Sequence, residues 1–321
     1  MSGKNTFGTS AYGGAGWSPR TASHADEVGV LWSACGMDSE WAPLKSVLLH
    51  CPGDELLRSS DPAAVQMLEP LDRDRARQQH QVMRKTYENA GVTVHDVVPD
   101  QPAHPNQMFC ADLLFATPDG IILARPASTV RAGEERPVAR RLAALGIPVV
   151  AMLTGGATFE GADAMWLDPG TVIIGRGLRT NEEGIRQVSA VLGRSGVEVI
   201  AVDMPFGTMH LMGMLRIADR DLAIVWPRRT PHAAVAALRS RGYEVAFLPD
   251  EDDAVINRAI NFVTLGPRRI LMVDGSPVAR RFYQSHGIDC LTAAADELVK
   301  AAGAVGCLTG VIERDRIGRG P

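Results

Sequence analysis

A turn recurs along this chain at a nearly constant interval. Pro118-Asp119-Gly120, Asp168-Pro169-Gly170, Asp219-Arg220-Asp221 and Gly266-Pro267-Arg268 lie roughly 50 residues apart. Each separates two short apolar runs, and such runs around Gly, Pro and Asp read as hairpins, because those residues supply the turn dihedrals. Each hairpin is followed by a helix and one further strand: 133–145 and 147–152, 182–196 and 197–202, 231–242 and 243–248, 278–287 and 288–291. A fixed period of this size means one supersecondary unit repeated, with each copy burying its apolar face against the next. Short strands alternating with helices place the chain in the α/β class.

The N-terminal unit is incomplete. A strand over 44–50 ends at Pro52-Gly53, a helix is expected over 64–90, and a strand over 92–98 stops at Pro99-Asp100. No hairpin precedes them. The apolar run 306–313 can supply the missing strand by pairing beside 47–50, which closes five units around one axis with pseudo-fivefold symmetry. Residues 1–36, rich in Gly, Ser, Thr and Ala and without periodicity, read as a flexible tail. Residues 37–321 read as one catalytic domain.

Closure places Cys307 at the centre. It stands in Gly303-Ala304-Val305-Gly306-Cys307-Leu308-Thr309-Gly310, a glycine-bracketed turn that can present a thiol to a ligand. Alone, Cys307 could equally be a small buried hydrophobe. The segments before successive hairpins carry its potential partners: Asp112 after Asn106, then Glu160 and Asp163, then His210. Each has a plain structural reading, as a turn carboxylate or a core histidine. Equivalent positions in a pseudo-symmetric ring face one channel, however, so these residues should converge. A thiol beside an imidazole can become a thiolate, and several carboxylates suit a planar cation such as guanidinium.

Composition removes other classes. The net charge of −4 gives no basic field for nucleic acid or an anionic membrane. No run of about 18 apolar residues occurs. The five cysteines are odd in number with no CxxC pair, and the eight histidines form no HExxH. Neither a disulfide framework nor a metal or other cofactor is expected, and with no secretory signal in 1–17 a reducing cytoplasm is the expected location.

At these residues the chain resembles the guanidino-group-modifying superfamily of arginine deiminases, dimethylarginine dimethylaminohydrolases and amidinotransferases. The resemblance implies a five-bladed ββαβ α/β-propeller, the pentein fold. Asn106 to Asp112 is similar to the family's Asn-x5-Asp segment, whose aspartate binds guanidinium. Phe159-Glu160-Gly161-Ala162-Asp163 resembles its Phe-Glu-Gly-Gly-Asp motif, with Ala162 for a glycine; its glutamate binds guanidinium and supports the histidine. His210-Leu211 resembles the catalytic histidine segment and Gly306-Cys307 the nucleophile segment. Arg131 in Arg-Ala-Gly-Glu and Arg179 in Gly177-Leu178-Arg179-Thr180-Asn181 are similar to arginines that hold a substrate α-carboxylate. The chain departs at Met212, where deiminases and amidinotransferases usually carry an aspartate. An apolar wall there points to an N-alkylated guanidine.

The resemblance therefore implies a cysteine hydrolase of a small guanidino substrate. Cys307, His210 and Glu160 are the expected catalytic groups, and Asp112, Asn106, Asp163, Arg131, Arg179 and Met212 line the substrate. The covalent intermediate is an S-alkylthiouronium, and the product is citrulline or another ureido compound. An amidinotransferase would pass the same intermediate to an amine, and a non-catalytic binder of a cationic ligand is the third reading. No nucleic-acid or membrane partner is expected, and a homodimer is compatible with all three.

Overall fold

The computed structural model describes residues 6–99, 101–249, 251–256 and 258–318. The first five residues of the expected tail, Asp100 of the Pro99-Asp100 stop and the last three residues lie outside them. Fifteen strands are present among the described residues: β1 Leu44–Leu49, β2 Thr93–Asp96, β3 Leu114–Thr117, β4 Gly120–Leu123, β5 Val149–Met152, β6 Ala164–Asp168, β7 Thr171–Arg176, β8 Glu198–Asp203, β9 Leu215–Asp219, β10 Leu222–Val225, β11 Glu244–Phe247, β12 Val263–Gly266, β13 Arg269–Val273, β14 Asp289–Ala293 and β15 Gly310–Arg314. The helices are α1 His24–Glu27, α2 Arg73–Asn89, α3 Glu135–Ala144, α4 Glu182–Gly193, α5 His232–Ser240, α6 Glu251–Val255 and α7 Pro277–Ser285.

The strands form five three-stranded sheets: β15-β1-β2, β3-β4-β5, β6-β7-β8, β9-β10-β11 and β12-β13-β14. In each, the first two strands are antiparallel and the third runs parallel to the middle one. The parallel step needs a crossover, and α2, α3, α4, α5 and α7 supply it. The middle strands β4, β10 and β13 carry Gly-Ile-Ile-Leu, Leu-Ala-Ile-Val and Arg-Ile-Leu-Met-Val and are buried almost throughout. Continuous apolar runs of this kind suit strands covered on both faces. The third strands are mostly half-buried or exposed.

Neighbouring sheets touch in sequence. β15 packs on β3; the short turn Cys110–Asp112 packs on Gly161–Asp163, and that on Leu211–Gly213; β9 packs on β12, and β12 on β1. Phe115 stacks on Trp166, whose indole donates to the Ala116 carbonyl, so one aromatic pair joins the second and third sheets.

β15 pairs with β1 as the repeat requires, with Val311 opposite Val47. It begins at Gly310 and not at 306. Cys307 sits just before it, in a turn closed by Leu308 N–H to the Ala304 carbonyl and Thr309 N–H to that of Gly306. The helix expected over 64–90 starts only at Arg73. Pro70 cannot continue a helix from the preceding turn, and Asp72 caps α2 by accepting from the Asp74 and Arg75 amides. The helix α6 and the turn Leu298–Ala301 carry no repeat signal. Part of the expected tail lies against the body: Gly36 N–H donates to the Ile312 carbonyl, Ser33 N–H to that of Gly146, and Cys35 is buried in the same apolar cluster as Ile312.

Gly161 sets the approach of the second and third sheets. A Cβ there would stand 2.0 Å from the Leu114 carbonyl oxygen and 2.6 Å from that of Ala111, both backbone atoms. Gly161→Ala should therefore cost about 2 kcal/mol or more, whereas Gly156→Ala, in open space, should stay within about 0.5 kcal/mol of the parent. Urea midpoints of the two variants check this.

Candidate active site

Three short 3-10 turns, each just before the first strand of a hairpin, present the polar groups: Cys110–Asp112, Gly161–Asp163 and Leu211–Gly213. They pack against one another, so Asp112, Glu160, Asp163 and His210 meet although far apart in the chain. All four are buried.

Asp163 ties the turns together. One carboxylate oxygen accepts from the Leu211 amide at 3.0 Å and the other from Thr180 Oγ1 at 2.7 Å. Burial nevertheless pushes its carboxyl up to about 6, against the opposing His210 charge and those two hydrogen bonds. Expected at the substrate, Asp163 faces its own chain here. Asn181, next to Thr180, caps α4 through the Gly184 amide.

Glu160 is saturated. Its Oε1 accepts from the Ala127 amide at 3.1 Å and lies 3.3 Å from Arg179 Nη1, and its Oε2 lies 2.7 Å from His210 Nε2 and 3.3 Å from Arg131 Nη1. Burial works to raise the Glu160 carboxyl, but His210, Arg131 and Arg179 together hold it well below the usual carboxylate range. Burial likewise works against a charged His210. Asp112, Glu160 and Asp163 outweigh it and push the imidazole up to about 9, so it is a cation at neutral pH.

Arg131 lies where a bound guanidinium was expected. Its Nη1 donates to Asp112 Oδ2 at 2.7 Å, and its Nε and Nη2 donate to Glu134 Oε2 at 2.9 and 2.8 Å. The guanidinium is buried, and Glu134, Asp112 and Glu160 stabilise its charge over the cost of burial. The resemblance assigns Arg131 to a substrate carboxylate; in this structure its donors are taken by the protein's own. Asp112, Glu160 and His210 also offer atoms within 4.8 Å of one another, close enough for a cation, and the charge of Arg131 sits among them. Asp112 keeps one oxygen free. Its Oδ1 is buried without a hydrogen-bond partner among the described residues and lies 3.9 Å from His210 Nδ1.

Cys307 is buried, and burial, with Asp112 adding to it, pushes its thiol up. Asn261 holds it on both sides: Asn261 Oδ1 accepts from the Cys307 amide at 3.1 Å, and Nδ2 lies 2.9 Å from Sγ. Gly306 makes room for this, since a Cβ there would stand 2.6 Å from Asn261 Oδ1 and 3.2 Å from Met212 Cε. Neither Asn261 nor Glu134 was singled out by sequence. The signal for Asn261 is its place two residues before β12, where Asp112 stands two before β3. The signal for Glu134 is its position three residues after Arg131.

Cys307, His210, Asp112, Arg131, Arg179 and Asn106 line one small recess of about 20 Å³. Asn106 is fixed by its Nδ2 donating to the Val65 carbonyl at 2.7 Å. Met212 does not line this recess. It walls a neighbouring cavity that also reaches Cys307 and His210. The arrangement offers a thiol, a buried imidazolium and an unpartnered carboxylate oxygen at one point, which suits nucleophilic attack on a cationic carbon followed by proton transfer to a leaving nitrogen.

A sequence profile for N,N dimethylarginine dimethylhydrolase, eukaryotic, matches residues 64–231, which include Asp112, Glu160 and His210. A Mycobacterium tuberculosis protein named N(G),N(G)-dimethylarginine dimethylaminohydrolase is 26% identical over 240 residues, 75% of this chain and 76% of that one. Among solved structures, a mutant DDAH from Pseudomonas aeruginosa complexed with citrulline is similar at TM-score 0.71 and 21% identity, covering 85% of this chain and 100% of that one. An amidinotransferase of a saxitoxin biosynthetic pathway, from Microseira wollei, is similar at TM-score 0.68 and 14% identity, covering 89% of this chain and 98% of that one. The profile spans more than half of the chain and the solved structures share its α/β pentein architecture, so this chain belongs to the N,N-dimethylarginine dimethylhydrolase family of the pentein superfamily.

Proposed function

We propose that the chain hydrolyses a guanidino C–N bond of an N-substituted arginine, yielding citrulline and an amine. The observation that carries this reading is Asp112 Oδ1, a buried carboxylate oxygen without a partner in the recess shared by Cys307 and His210. Leaving such a group unpaired costs about 1–3 kcal/mol, and a substrate guanidinium N–H would satisfy it. In this reading the chain from residue 37 onward is one catalytic domain, and the contacts between successive sheets close a five-bladed propeller with the site on its axis.

The resting thiol is protonated, because its surroundings disfavour the thiolate. A guanidinium bound against Asp112 brings a positive charge beside Sγ and stabilises the anion, and the thiol proton passes to solvent. The thiolate attacks the guanidino carbon. The His210 imidazolium, held by Glu160, gives its proton to the departing amine. A water then adds to the carbon of the S-alkylthiouronium; one of its protons passes to His210, the other is taken up by the released amine, and the C–S bond breaks to return the thiolate and leave the ureido carbonyl. Arg131 orients Asp112 and Glu160, Asn261 orients the thiol, and Asn106 and Arg179 lie where the amino-acid end of the substrate would rest. A transferase is the second reading, favoured by the amidinotransferase likeness and by the wide cavity beside Cys307.

Incubation with asymmetric dimethylarginine should give citrulline and dimethylamine by mass spectrometry, and Cys307→Ser should lower turnover at least about 10³-fold; a new guanidino compound formed only with added glycine or lysine would mark transfer instead. Asp112→Asn removes the charge while keeping the shape and should lower kcat/KM roughly 100-fold, the loss of about 3 kcal/mol for a charge-assisted hydrogen bond. The pH dependence follows from His210. Its pKa in the folded chain, about 9, exceeds the unfolded value near 6.5. The ion pair's contribution to stability is therefore complete below about pH 6.5 and lost as pH rises toward 9. kcat/KM should fall above about pH 9 in parallel, and the His210→Gln variant should lack this loss of stability in urea titrations across the same range.

A further inference from the structure

The cleft has a second lobe. Met212, Met214, Trp226 and Ile260 wall a cavity of about 300 Å³ that meets the recess of Asp112 at His210 and Cys307. Arg229 and Arg258 line it, and among the described residues no carboxylate does. Arg229 stands over the Trp226 ring with Cζ 5.5 Å from the centroid, which holds a flat cation against an aromatic face. Among the described residues neither arginine forms an ion pair.

The two lobes meet on the groups that would act on the bond, so the two halves of a substrate belong on opposite sides of Cys307. In the first recess the unpartnered oxygen of Asp112 suits the guanidinium. The nitrogen that leaves then points into the second lobe. A dimethylamino group fills only part of that volume, which reaches the lower end of the range of small-ligand pockets. A cationic arm would be repelled by Arg229, Arg258 and the His210 imidazolium, whereas a carboxylate would pair with the arginines.

We infer that this lobe receives the N-substituent of the guanidine, and that the preferred substrate carries there an apolar arm ending in a carboxylate, which Arg229 and Arg258 receive. The inference rests on the hydrolase reading above. In the reaction the Sγ–C bond forms, the C–N bond to the arm-bearing nitrogen breaks, and His210 places its proton on that nitrogen. The released amine takes its carboxylate out through the second lobe, and water completes the cycle as before.

The test uses the full chain and two substrates of matched length, Nω-butyl-L-arginine and Nω-(3-carboxypropyl)-L-arginine, beside Nω-methyl-L-arginine. kcat/KM should be at least about tenfold higher for the carboxypropyl than for the butyl compound, the increment of one partly desolvated charge pair. Arg229→Gln should bring that ratio close to one, with the butyl rate reporting that the variant is folded. Trp226→Ala should lower both long-arm rates relative to Nω-methyl-L-arginine. Equal rates for the two long arms in the parent, or an unchanged ratio in Arg229→Gln, overturns the inference. Turnover of the methylated compound alone leaves the hydrolase reading standing and overturns only this one. Turnover of none of the three overturns both.

Discussion

The guanidinium of Arg131 allows a dry acidic interior to exist at the meeting point of the sheets. Asp112, Glu134 and Glu160 are buried and would repel one another, and each would resist ionising alone. Arg131 touches all three. Its planar fork can serve several carboxylates where the point charge of a lysine could not. Removing one partner from such a buried network typically costs about 3–5 kcal/mol, because an uncompensated charge remains. Glu134 shows the balance: burial pushes its carboxyl up to about 7, and only Arg131 opposes that rise. The arginine thereby fixes the oxygens of Asp112 and leaves one of them turned to the recess. Glu160, in turn, is free to hold His210 as a cation. The ionisation of the site follows from this one side chain.

Much of the architecture was legible because it is written in local chemistry. Pro118-Asp119-Gly120 and its three counterparts bend the chain wherever they occur, and the continuous apolar runs of β4, β7, β10 and β13 announce strands covered on both faces. The partner of β1 was legible for a different reason: one unit was short of a strand, and one apolar run was left over. The site was legible as a set of equivalent positions, which is why Asp112, Glu160, His210 and Cys307 could be grouped before any contact was known. Side-chain direction was not. Whether Arg131 turns toward a ligand or toward Asp112 depends on the burial of Glu134 beside it, and nothing in the spacing carries that. Asn261 escaped because an amide has no titration to attract attention, although its place before β12 repeats that of Asp112. The onset of α2 was misplaced because the apolar period runs on through Pro70, where the missing amide wins.

The cleft has two lobes, and of these the one beyond Met212 has no carboxylate in its lining among the described residues. On one side of Cys307 lie Asp112 and its neighbours, on the other Arg229 and Arg258. His210 stands at the border and belongs to both. Met212 and Gly306 keep the border narrow, since the methionine methyl packs close to the glycine that precedes the thiol.

The pairing of β15 with β1 ties the site to the order of synthesis. Val47 meets Val311 across almost the entire chain, and Cys307 takes its place only when that pairing forms. On the ribosome the middle sheets can fold as they emerge, but the first must wait with an unpaired edge until β15 has been made. Closing so long a loop is slow. A chain interrupted before β15 would carry Asp112, Glu160 and His210 without Cys307 beside them, so the thiol joins these groups only once that strand has been made.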